Sequence, residues 1–123
     1  MPQSLSVSRG GVRVHKSVLG QEGPLRLIAF VVESERAESV SVRIREEIPE
    51  DVPRSAVGLH EDYEADSWRV TEDGHLEYGR ELPPGGSAVA GYFVRGGEEL
   101  ARHCFVTPSI EDVRRADGAA LST

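Results

Sequence analysis

One cysteine, one lysine, one tryptophan and one methionine stand among the 123 residues, and each scarcity excludes something. A single cysteine, Cys104, leaves no internal disulfide to form, which fits a reducing compartment. No apolar run approaches the ~18 residues that a helix needs to cross a bilayer, so no membrane insertion is expected. The N-terminal stretch MPQSLSVSRGGVRVHK has no apolar core of the signal-peptide kind, and the expected location is cytoplasmic. No P-loop, dinucleotide fingerprint or Ser-His-Asp signature is present, so no cofactor and no enzymatic activity are expected.

Lysine is the most telling scarcity. Lys16 stands alone against 13 arginines, while Asp and Glu total 21, for a net charge of −7. Acid excess with almost no lysine is the composition of salt-adapted or very GC-rich proteomes, and a halophilic, acidic protein is expected. The charge is unevenly placed. Arg9, Arg13 and Lys16 give the first twenty residues +3 with no acid, which leaves −7 − 3 = −10 for the rest. A nucleic-acid footprint needs a basic face, and a small basic arm is all this chain offers, so no nucleic-acid partner is expected.

What the sequence does contain is strand pattern. Val40, Val42 and Ile44 alternate with Ser41, Arg43 and Arg45, the period of a strand with one buried face, and Ile48-Pro49 ends it. Further strands are expected at 12–18, at 25–32, at 88–95 and at 103–106. A hairpin is expected through Trp68 and Val70, an Asp73-Gly74 turn, then Leu76 and Tyr78. Residues 20–24 and 82–86 read as turns. Ser109 and Asp112 resemble a capping box, which predicts a short helical turn over 110–116. Residues 1–10 and 118–123 read as a flexible arm and tail around a single domain whose core spans about 12–108. Seven short strands with regular turns describe an all-β fold, an immunoglobulin-like β-sandwich or a small barrel.

The order VRIREEIPEDV, VGLHEDYEADSW, DGHLEYGRELPPGGSAVAGYFV resembles the immunoglobulin-like conserved-repeat domains of archaeal and bacterial proteins. It is closer still to a group of uncharacterised haloarchaeal sandwich domains with the same order of segments. The resemblance covers about residues 25–108. It implies a β-sandwich that serves as a structural or adhesive module, and it carries over no catalytic residue.

Four groups of residues could carry function. Glu46 falls on the inward row of its strand, where an unpaired carboxylate is costly, so either the strand has left the sheet by Glu46 or an arginine such as Arg69 or Arg80 reaches it. The acidic loop 60–66 offers His60, Asp62 and Asp66, with His75 nearby, as weak metal candidates, although the spacing is not that of an EF-hand. His103 and Cys104 are adjacent, so on a regular strand they face opposite ways and cannot share one ion. Finally, the strands at 25–32 and 88–95 are apolar on both faces. Ile28, Phe30, Val32, Tyr92 and Val94 are taken as the face that a lone sandwich would expose, hence as the interface to a protein partner or a second copy. The expected function is a non-enzymatic protein–protein interaction or scaffold module, with ion or small-ligand binding by the 60–66 loop as the alternative.

Overall fold

A computed structural model describes residues 4–20 and 25–116 of the chain. Its elements, in chain order, are β1 (Ser4–Arg9), β2 (Val12–Gly20), β3 (Leu25–Ser34), β4 (Val40–Glu46), β5 (Val57–Gly58), β6 (Trp68–Val70), β7 (Leu76–Leu82), β8 (Ser87–Arg95), α1 (Gly97–His103) and β9 (Ser109–Arg115). Short 3-10 turns at 54–56, 61–63 and 65–67 fill the long connection between β4 and β6. Among the described residues no helix is long and apolar enough to cross a membrane.

Two antiparallel sheets form, one of five strands in the order β1-β2-β3-β8-β5 and one of four in the order β6-β7-β4-β9. They pack face to face because each strand contributes an alternating apolar row. Val12 and Val14 of β2, Ile28, Phe30 and Val32 of β3, and Ala90, Tyr92 and Val94 of β8 meet Val40, Val42 and Ile44 of β4 and Leu76, Tyr78 and Leu82 of β7 in one buried cluster. Trp68 sits where the sheets meet. Its ring lies 5.4 Å from Phe30, 5.1 Å from Tyr78 and 6.1 Å from Tyr92, in tilted or edge-on arrangements. Arg9 ties β1 across to β9 by donating to the carbonyls of Ile110 and Glu111.

Nine strands are present among the described residues rather than seven: β5 (Val57–Gly58) forms within the long loop after β4, and the other differences lie at the two ends of the chain. Residues 4–9 are a paired strand, not a loose arm. Gly10 and Gly11 both adopt positive φ, which glycine tolerates best, and fold β1 back onto β2. Residues 97–103 form a helix where a turn and the approach to a strand were expected, and no strand covers 103–106. The stretch 109–115 is a strand, not a helical turn. The expected tail at 118–123, and residues 21–24 of the expected 20–24 turn, lie outside the described residues.

The inward face is also corrected. Ile28, Phe30, Val32, Tyr92 and Val94 are at most 2% exposed and belong to the core between the sheets. The outward row of β3 is Leu27, Ala29, Val31 and Glu33, and that of β8 is Val89, Gly91 and Phe93. Both faces read as apolar in sequence, and periodicity alone does not say which one meets the second sheet.

Candidate functional site

Alternation along β2 carries Val12, Val14 and Lys16 to the same face, so the chain's only lysine enters the core. Alternation along β4 carries Val40, Val42, Ile44 and Glu46 inward from the opposite sheet. The two charges meet there, each with its side chain 0% exposed. Lys16 Nζ donates to Glu46 Oε2 at 2.5 Å, to the Cys104 carbonyl at 2.6 Å and to the Val106 carbonyl at 2.7 Å. An ammonium has three N–H donors, and all three are used. The Tyr92 hydroxyl donates to the same Glu46 Oε2 at 2.7 Å, and Glu46 Oε1 has no partner. Lys16 also lies 5.7 Å from the centre of the Phe30 ring.

This cluster joins four segments: β2, β4, β8 and the link from α1 toward β9. Burial is its dominant electrostatic fact. It pushes Glu46 above its usual range and Lys16 below its own, while each partner's charge pulls the other back. Tyr92 is raised well above its usual value, first by burial and then by the Glu46 charge. Burial also raises the Cys104 thiol, against the opposing pull of the Tyr92 hydroxyl beside it. A thiol held protonated is a poor nucleophile. None of the four side chains lines the three surface depressions, of about 460, 350 and 340 Å³. The arrangement can hold two sheets in one register and clamp the 104–106 link. It offers a substrate no approach.

Arg69 and Arg80 do not reach Glu46. Arg69 pairs with Glu77, and Arg80 pairs with Glu64, which also accepts from the Tyr78 hydroxyl at 3.0 Å. Burial and the Glu64 charge raise Tyr78 above its usual range. The signal that would have found Lys16 was its parity: it continues the Val12, Val14 row.

The metal candidates are kept apart by other duties. His60 Nδ1 accepts from the Asp62 amide at 3.1 Å and so caps the 61–63 turn, and its ring packs edge-on against Phe93. His75 Nδ1 accepts from the Ile48 amide at 2.8 Å and fixes the exit of β4. Asp62 and Asp66 are exposed. His103 is exposed, 4.0 Å from Asp51 Oδ2, while Cys104 is buried. Among the described residues no three His, Cys, Asp or Glu side chains converge as a metal site.

The surface divides only in part by sheet, since Val70 of β6 in the four-stranded sheet is 51% exposed. Outside the four-stranded sheet, charges alternate and pair: Arg45 with Asp73, Arg69 with Glu77, Arg114 with Asp112. A depression of about 460 Å³ lies there, over Gly79, with Arg43, Arg69 and Arg80 among its walls. Outside the five-stranded sheet, Leu19 is 43% exposed and Val89 is 50% exposed, with Val31 partly exposed beside Val89. Tyr63 packs edge-on to Phe93 at the margin of this face.

The fold and sites define an all-β, two-sheet protein with an ion pair inside it. No protein-family model matches the chain, and no curated protein and no solved structure matches it.

Proposed function

We propose that the chain is a non-enzymatic protein–protein interaction or scaffold module, an immunoglobulin-like sandwich working in the cytoplasm of a salt-adapted, haloarchaeal type of cell. The immunoglobulin-like reading is supported by topology. The chain changes sheet between β3 and β4, briefly returns for β5 before β6, and changes again between β7 and β8 and between β8 and β9, which pairs β3 with β8 and β4 with β9. The salt-adapted reading is supported by the acid excess and the single, buried lysine. The interaction reading is carried by one observation: Leu19 and Val89, about half exposed, stand on the same outward face as Val31. Apolar side chains held together on a rigid sheet favour a partner over water. Four arginines on the opposite sheet, Arg45, Arg69, Arg80 and Arg114, are paired with carboxylates, which favours a protein over a nucleic acid as that partner.

The test is capture from an extract of the source cell at its own salt concentration. Bait carrying Val89→Glu should lose the proteins that the wild-type bait retains, with an unchanged melting temperature. Equal capture by both baits contradicts the assignment of the outer face.

A further inference from the structure

We infer that the chain pairs with a second copy of itself through the outer face of the five-stranded sheet, about a two-fold axis lying along the Ser17–Ala29–Gly91 row. This rests on the interaction reading above and narrows it to self-association.

Strand pairing arranges the face in rows. Glu33 lies beside Arg13 and Ser87 in the first row; Val31 lies between His15 and Val89 in the second. Ala29 lies between Ser17 and Gly91 in the third, and Leu27 lies between Leu19 and Phe93 in the fourth. Leu25 lies beside Arg95 in the fifth. Rows are two residues apart, so the face runs roughly 27 Å from Glu33 to Leu25. Its middle row is small. Gly91 has no room for a Cβ, which would meet the Ile28 carbonyl oxygen at 2.7 Å and Leu27 Cδ1 at 3.1 Å. The face is therefore lowest at its centre, where two copies can approach most closely.

Face-to-face packing of identical sheets requires a two-fold axis in the plane between them. An axis along the third row reverses the strand direction. The second row then lies on the partner's fourth, which sets Val89 toward Phe93, Val31 toward the nearly buried Leu27 and His15 toward Leu19. The first lies on the fifth, which brings Glu33 to the end of the partner that carries Arg95. Arg95 is exposed and, among the described residues, has no carboxylate partner; Glu33 is half exposed beside His15. An axis along the strands would instead set Glu33 directly on Glu33 and leave Arg95 without a carboxylate, with Arg13 beside Glu33 in either arrangement. Charge thus selects the first arrangement. Three strands give the face a width of roughly 15 Å, so its flat area is about half of the ~800 Å² per partner in a standard interface. The dimer is accordingly weak and concentration-dependent.

Sedimentation velocity from about 10 µM to 1 mM tests this, with folding checked by melting temperature, over a range suited to small interfaces. The wild type should dimerise reversibly. Arg95→Glu and Glu33→Arg should each weaken the dimer by ~5-fold or more, and an equimolar mixture of the two should restore it, because both cross-pairs are then complementary. A wild type that stays monomeric overturns self-association while leaving the interaction reading to the capture experiment. A dimer with the same constant in all variants overturns the assigned face and axis.

Discussion

The two faces of the five-stranded sheet reverse the usual placement of charge and hydrocarbon. On the inner face, among valines and aromatic rings, stands the only lysine of the chain, bound to a glutamate with both side chains fully buried. On the outer face, between an arginine–glutamate row and an arginine, stand Leu19, Val31 and Val89. The inner charges have every lysine donor satisfied by the fold itself. The outer hydrocarbons have no such partner within the chain. A polar group buried and saturated works on the fold; an apolar group left in water works on something that arrives.

That comparison can be broken first from the inside. Lys16→Met leaves Glu46 charged, buried and without its cation, and should cost about 3–5 kcal/mol in chemical denaturation. Adding Glu46→Leu should recover much of this, since an apolar pair of similar volume often replaces a buried ion pair at little cost. Recovery should be incomplete, because the carbonyls of Cys104 and Val106 and the Tyr92 hydroxyl lose their partners. A loss below about 1 kcal/mol for Lys16→Met would mean that the cluster contributes little to the fold.

The outside should respond in the opposite sense. Val89→Glu should change stability by no more than ~0.5 kcal/mol, as surface substitutions usually do, while abolishing association. Equal losses of stability and association would erase the distinction between the faces.

The smallest expected effect concerns a surface pair on the other sheet. Asp73 is pulled down to about 2 by hydrogen bonds from the Thr71 hydroxyl and the Arg45 guanidinium. A carboxyl with a depressed folded pKa adds stability that is present above its unfolded value near 3.8 and is lost as pH falls through about 2. The melting temperature should therefore drop between pH 4 and pH 2, and Asp73→Asn should remove that part of the slope. An unchanged slope in the variant would place the acid sensitivity elsewhere.

How much of this was readable from sequence depended on local pattern. Strands β3, β4 and β8 and the β6–β7 hairpin were legible because alternation and an Asp-Gly turn are local signals. β9 was not, for a definite reason. The register between β4 and β9 shifts between Arg43 and Ile44, so that Asp112 faces Arg43 while Ile110 faces Ile44. This bulge puts the inward residues Ile110 and Val113 three apart, which is the spacing of a helix. β1 offers only Leu5 and Val7 as apolar residues and gains its identity from pairing with β2.

Glu46 was legible as an inward carboxylate, and its partner was not. An arginine or an early end to the strand was expected; the answer was the one lysine, thirty residues earlier on the facing sheet. Pairing across sheets depends on how the two sheets stack, which no local pattern encodes. The same ignorance of stacking exchanged the inner and outer faces of β3 and β8.

Ser17 lies on the proposed two-fold row, so each copy should meet its own counterpart there. Ser17→Cys, treated with a short bis-maleimide at about 200 µM protein, a concentration suited to a weak interface, tests the central claim most directly. Cys104 is buried and serves as the unreactive background, and Ser41→Cys, exposed on the opposite sheet, is the control. A covalent dimer from Ser17→Cys and none from Ser41→Cys is the expected result. Dimer from Ser41→Cys alone, or equal yields from both, would contradict it.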